Sequence, residues 1–250
     1  MTELLGTRGL SHRFSDGAYG LRNLDFSLME GDFAVLAGPS GSGKTLLGRH
    51  LVGLERTREG EAYFRGFPLA SRIGELRKTV GYVFQDTEAQ LIGQTVAEDL
   101  AFGPANLGLD KREVARRVEA CLSATGLAGM ADRRPETLSG GEKRRLAIGG
   151  ALAMGCSCLI LDEPFANLDF PSARALARLL RSLRDEGTTL LVATHELEKV
   201  LGMATRLIVL EAGRKIFDAG AMDAPASLFA EHGLACPYIS DWPWRMEPER

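Results

Sequence analysis

The residues Gly38-Pro39-Ser40-Gly41-Ser42-Gly43-Lys44-Thr45 have the types and spacing of a phosphate cradle. In the pattern G-x-x-x-x-G-K-[ST], glycines let backbone N–H groups turn inward around nucleotide phosphates. Lys44 then reaches the terminal phosphates and Thr45 offers a hydroxyl to Mg²⁺. A helix is expected to follow, and its positive end adds to the same anion site. A second glycine-rich stretch, Leu138-Ser139-Gly140-Gly141-Glu142, also opens a helix and also suits phosphate. One nucleotide does not need two such cradles from one chain, so the second points to a nucleotide held by another molecule.

The acids come next. The apolar run Cys158-Leu159-Ile160-Leu161 ends in Asp162-Glu163. Such a run reads as a parallel strand buried on both faces, and ligands in open α/β sheets gather at the carboxyl ends of such strands. Successive strand side chains point to opposite sides, so the two carboxylates cannot share a task. One can orient Mg²⁺ and its waters while the other faces the attacking water. Gln85 closes the strand pattern of Val80 to Phe84, and His195 closes that of Thr188 to Thr194. His195 is expected to open a helix running through Val200, where it stays neutral, able to donate from one ring nitrogen and accept at the other. Phe14, just before the turn Asp16-Gly17, is a candidate for stacking on an adenine ring as well as for an ordinary sheet face.

Positioning these groups takes an α/β body. Residues 4 to 37 alternate apolar and polar side chains, which predicts two or three strands of a half-exposed antiparallel sheet leading into the phosphate loop. A helix over 43–54 and a strand over 60–64 follow. From Thr95 to Ala124 the period is helical, with expected breaks at Gly103-Pro104 and Gly108, so a small helical insert is predicted. Helices over 143–154 and 172–186 and a hairpin over 205–218 through Ala212-Gly213 complete the pattern, and from Ala221 onward the signal fades.

Composition fits this reading. The 250 residues are 45% hydrophobic and 25% charged, with a formal net charge of −3, so bulk electrostatics suggests no polyanion partner. The basic segments Lys111 to Arg117 and Lys143 to Arg145 read as solvated helix faces, and no nucleic-acid partner is expected. Neither a signal peptide nor a membrane span is predicted, which implies a cytosolic chain. Cys121, Cys156, Cys158 and Cys236 are few, and Cys156-x-Cys158 lacks a second pair, so core packing rather than metal ligation is expected. The tail segment Trp242-Pro243-Trp244 reads as packing on the body or on a neighbour.

With these pieces in order, residues 1 to 230 resemble the nucleotide-binding subunit of ATP-binding-cassette (ABC) transporters. Gly38 to Thr45 is similar to the Walker A loop, Gln85 to the Q-loop glutamine and Leu138 to Glu142 to the family signature. Leu159 to Asp162 with Glu163 resembles the Walker B strand and catalytic glutamate, Asn167 to Asp169 the D-loop, His195 the switch histidine and Phe14 the adenine-stacking aromatic. The resemblance is greatest to energy-coupling-factor and cobalt or nickel importer ATPases. Residues 84–91, 95–104 and 147–154 carry it, including Gly150 where most transporter ATPases have arginine. Leu46, Glu142 and Thr87 depart from the usual residues without removing a chemical role.

The resemblance implies a P-loop NTPase core with a mostly parallel sheet, an N-terminal antiparallel β subdomain and a small helical subdomain. It implies an ATP-binding domain over 1–232, with the helical insert at about 86–155, and a C-terminal tail over 233–250. It further implies ATP and Mg²⁺ as ligands, with Asp162, Thr45 and Gln85 serving the metal and Glu163, His195 and Gln85 serving hydrolysis. The partners implied are a second ATPase subunit and an integral membrane coupling subunit contacting Gln85 to Leu107, at the cytoplasmic face of the membrane, with no direct contact to cargo. The ATPase of a binding-protein-dependent importer shares every catalytic residue and is the alternative. A soluble ABC ATPase acting on nucleic acid or ribosomes fits less well, because only one cassette and no coiled coil are present.

Overall fold

The computed structural model describes residues 2–235; Cys236 and Trp242-Pro243-Trp244 lie outside them. Along the chain run β1 (Glu3–Arg13), β2 (Tyr19–Met29), β3 (Phe33–Ala37), α1 (Lys44–Leu51), β4 (Glu59–Phe64) and β5 (Phe67–Pro68). Next come α2 (Ile73–Thr79), β6 (Val80–Val83), α3 (Val96–Asn106), α4 (Lys111–Ala124), α5 (Gly140–Met154), β7 (Cys158–Asp162) and α6 (Phe170–Asp185). Then follow β8 (Thr189–Ala193), β9 (Arg206–Glu211), β10 (Arg214–Gly220) and the short α7 (Ala226–Glu231). These elements form two units, one of residues up to Ile73 with those from Thr189 on, the other of Gly74–Thr188.

In the first unit, β1 lies between β2 and β4 in an antiparallel sheet edged by β5. β3 does not continue that sheet, as the alternation over 4–37 suggested. It pairs in parallel with β8 on one side and β9 on the other, and all five of its residues are buried. Phe33 to Ala37 has no polar position to offer solvent, which is why it suits a strand covered on both faces. β10 returns antiparallel to β9 through Ala212 and Gly213, both at positive φ, the pair of left-handed residues that a tight hairpin requires.

In the second unit, β6 and β7 run parallel with Tyr82 opposite Ile160. The helices α3, α4 and α5 pack around Val96, Leu100, Cys121, Leu138, Leu146 and Ala153. α3 runs straight through Gly103-Pro104 instead of breaking there. Gly103 is a packing residue, because a Cβ on it would lie 2.4 Å from Met154 Cγ of α5. Gly108, at φ +76°, follows the true end of the helix. α6 buries Leu176, Leu179, Leu180 and Leu183 on one face. Cys121, Cys156 and Cys158 are buried free thiols, and burial pushes the Cys156 pKa up to about 11. No helix among the described residues is long and apolar enough to cross a membrane.

Candidate active site

The phosphate loop occupies the turn between β3 and α1. Gly38 has φ +150°, and a Cβ there would sit 2.2 Å from the Leu210 carbonyl oxygen and 2.5 Å from Ser42 Oγ. Only glycine fits such a position. Lys44 is buried, and its Nζ donates to the carbonyls of Gly38 at 2.8 Å and Pro39 at 3.2 Å, which holds the ammonium against its own loop. Ser42 Oγ is buried with no hydrogen-bond partner among the described residues. A buried polar atom of that kind asks for a ligand partner, and a phosphate oxygen supplies one. No side-chain cap hydrogen bond is made at the start of α1, and uncapped helix N-termini suit anions. Pro39, Ser40, Gly41, Gly43 and Thr45 complete the loop and the first helical position.

Gly20 brings Phe14 to this loop. A Cβ on Gly20 would meet the Phe14 ring at 2.9 Å and Leu46 Cδ2 at 2.5 Å, while a Cβ on Gly43 would meet the Gly20 carbonyl oxygen at 2.7 Å. The Phe14 ring, 49% exposed, stands edge-on to His12 with centroids 5.0 Å apart. An aromatic so held and so exposed is suited to stacking. Leu46 and Phe14 thus close over the same glycine. His195 is exposed just past β8, whose Ala193 pairs with Leu36. The helix expected from His195 to Val200 does not form. Thr194 Oγ1 accepts from Glu196 N at 3.0 Å, and two 3-10 turns, Leu197–Lys199 and Leu201–Met203, follow. The helix N-terminus on which the expectation for His195 rested is therefore absent.

In the second unit, β7 delivers two buried acids, Asp162 and Glu163. Parallel pairing puts Tyr82 on the same sheet face as Ile160 and Asp162, and the phenol spans the step so that Tyr82 Oη donates to Asp162 Oδ2 at 3.1 Å. Glu163 lies just past the strand at φ +45°, an uncommon conformation for a residue with a side chain. Its carbonyl accepts from Arg144 Nη1 at 3.2 Å. Gln85 is exposed beyond β6, and the strand end behind it is clasped by Gln90, which donates to the Tyr82 carbonyl at 2.9 Å and accepts from Phe84 N at 3.1 Å.

Ser139 caps α5. Its Oγ accepts from Glu142 N at 3.3 Å, and Glu142 Oε2 accepts from Ser139 N at 2.7 Å. That backbone bond holds the Glu142 carboxyl below its usual pKa. Glu142 thus makes the return bond that a glutamine would make. Gly141 packs so closely on α6 that a Cβ would lie 2.5 Å from Ser172 Cβ, while Gly140 is less crowded. Asp169 caps α6, accepting from Ser172 N at 3.0 Å, and hydrogen bonds from Ser172 lower its pKa. The signature stretch and the Asn167 to Asp169 turn therefore meet at Ser172.

Thr45 in the first unit, and Gln85 and Asp162 in the second, each carry a hard oxygen of the kind that binds Mg²⁺. No group of three or more His, Cys, Asp or Glu side chains able to hold a metal occurs among the described residues. Tyr82, Gln90 and Arg144 were not singled out by sequence reasoning. Arg144, expected on a solvated face, is buried. The signal was present in α5, where Gly141, Arg144, Ile148 and Ala151 are all buried at helical spacing.

The model of the ABC transporter family matches residues 21–166, more than half of the chain. The chain belongs to the ABC transporter family. An energy-coupling factor transporter ATP-binding protein EcfA of Methanocaldococcus jannaschii is 39% identical over 231 residues, covering 91% of this chain and 81% of that protein. The cobalt import ATP-binding protein CbiO of Rhodobacter capsulatus is 37% identical over 246 residues, covering 96% and 88%. Among solved structures, cbiO1 of Clostridium perfringens, part of the transporter complex cbiONQ, matches with TM-score 0.82 and 31% identity over 92% of each chain. The ATP-binding cassette MJ0796, solved as a post-hydrolysis dimer bound to ADP and Pi, matches with TM-score 0.78 and 27% identity over 87% of this chain and 99% of that one. The expected family and fold class, a P-loop NTPase core with antiparallel β and helical subdomains, are borne out. As a member of this family the chain binds ATP and hydrolyses it to drive transport.

Proposed function

We propose that this ATPase is the motor of an importer of the energy-coupling-factor type, taking up a vitamin or a transition-metal ion. The observation that carries the reading is similarity to EcfA and CbiO proteins over more than four fifths of both partners in each comparison. In this reading two subunits face each other head to tail. Ser139, Gly140 and Gly141 of one close over the ATP that Gly38 to Thr45 of the other hold, with Phe14 stacked on the adenine and Asp169 beside the shared nucleotide. Hydrogen bonds to charged groups are worth about 1.5–3 kcal/mol each, so losing a few γ-phosphate contacts on hydrolysis loosens the pair by at least about a thousandfold.

Glu163 polarises the attacking water and His195 holds the γ-phosphate. Asp162, Thr45 and Gln85 would hold Mg²⁺, which would supply neutralisation of charge on the phosphates. The domain runs over 1–232, with the helical insert at about 86–155, and its partner is an integral membrane coupling subunit that docks on Gln85 to Leu107. Support for that docking comes from a cleft of about 230 Å³ lined by Gln90, Phe102, Gly103, Gly150 and Met154. Ile92 and Phe102 are more than half exposed, and a Cβ on Gly150 would meet nothing within 4 Å. The subunit then sits peripherally at the cytoplasmic face of the membrane and touches neither cargo nor nucleic acid.

The test is to tag the chain, solubilise membranes of its host gently and identify what purifies with it. A transmembrane coupling subunit together with a small membrane-embedded substrate binder is the expected result. A conventional permease with a secreted binding protein would move the assignment to a binding-protein-dependent importer, and ribosomes or DNA-bound proteins alone would overturn transport.

A further inference from the structure

One buried charge in the second unit has no part in the mechanism above. Arg144, in the second turn of α5, is 6% exposed. Burial pulls its guanidinium pKa below the usual arginine value, opposed by the fields of Asp162 and Asp86. Nη1 donates to the Glu163 carbonyl at 3.2 Å, and Nε is buried with no hydrogen-bond partner among the described residues. The carbonyl it grips belongs to a residue at φ +45°. Such a backbone persists only where the surroundings hold it, and such conformations cluster at sites of function. The same helix begins at Ser139, about 7.5 Å away along the axis at 1.5 Å per residue.

We infer that Arg144 is a positioning residue that fixes Glu163 through its main-chain carbonyl and ties it to the glycine-rich start of α5. Engagement of the partner's nucleotide at Ser139 to Gly141 is then felt at this chain's own Glu163. Arg144 touches no reacting atom in this scheme. A solvated lysine or arginine face would not need a buried guanidinium, and a merely space-filling residue would not leave a desolvated N–H unpaired. The inference rests on Glu163 being the catalytic carboxylate.

The test uses Arg144→Met and Arg144→Lys in the captured transporter complex, with kcat and KM for ATP read separately. Small misplacements of a catalytic group cost on the order of 100-fold, so Arg144→Met is expected to lower kcat about 10- to 100-fold with KM within about twofold. Arg144→Lys, which keeps one donor and the charge, recovers part of the loss, and the Hill coefficient for ATP falls toward 1 in the Met variant. In a Glu163→Gln background, Arg144→Met still forms the ATP-bound dimer. An Arg144→Met kcat within about twofold of the parent would overturn the inference. Loss of nucleotide binding in both variants would do the same, by giving Arg144 a purely structural role. Turnover that survives Glu163→Gln alone would instead sink the parent assignment, so the two failures are distinguishable.

Discussion

The phosphate loop and the end of β7 solve the same problem, holding charged groups still, in opposite ways. The loop is held locally: Lys44 bonds to carbonyls five and six residues away, and Gly38 owes its place to a backbone conformation. The acids are held from afar, Asp162 by Tyr82 eighty residues distant and Glu163 by Arg144 nineteen distant. Changes in the loop should therefore strike nucleotide binding itself. Changes around β7 should leave binding in place and act on turnover or on Mg²⁺.

The largest effect is expected at Gly38. Gly38→Ala places a methyl against the Leu210 carbonyl and Ser42, and the chain cannot relax without deforming the loop. Binding of a fluorescent ATP analogue should drop by at least about 100-fold, the equivalent of roughly 3 kcal/mol; a Kd within a few-fold of the parent would erase the contrast between the two regions. Tyr82→Phe, which removes one oxygen, should act more mildly. Partners that orient metal ligands are worth about 10- to 100-fold in metal affinity. ATP binding in EDTA should be unchanged while the Mg²⁺ concentration for half-maximal effect rises about tenfold, and an unchanged Mg²⁺ dependence would remove Tyr82 from the account.

The smallest effect concerns stability rather than function. Asp218 is partly buried, which pushes its carboxyl up, but a bidentate bond from Arg206, at 2.7 and 2.9 Å, and one from Lys215 at 2.7 Å outweigh this and hold its pKa down. A carboxyl depressed on folding stabilises fully above its unfolded pKa of about 3.9, and that contribution is lost as pH falls through the lower folded value. Asp218→Asn should lower Tm by about 2–4 °C at pH 7 for each kcal/mol lost, with the gap closing below about pH 4. A gap that stays constant to pH 2 would contradict the ion-pair assignment.

The same contrast explains what was legible in the sequence. Gly38 to Thr45 could be read because backbone conformation and a nearby lysine do the work, and both are encoded within one short stretch. The run Cys158 to Asp162 was legible from its unbroken apolar character. Arg144 was misread as solvated because its partner is a main-chain carbonyl that no side-chain pattern announces. Tyr82 looked like one more aromatic in a strand until the parallel register put it below Asp162. Gly103-Pro104 looked like a helix break, whereas Gly103 is there to admit Met154. His195 was placed correctly at a strand end, but 3-10 turns follow it where a helix was expected.

The most direct test of the ATP-driven dimer is Glu163→Gln studied by phosphate release and size-exclusion chromatography together. The account predicts that turnover falls by at least about 100-fold, the scale of a lost general base, while ATP, but not ADP, drives the variant into a stable dimer. Turnover close to that of the unmodified chain, or a variant that stays monomeric in ATP, would contradict it.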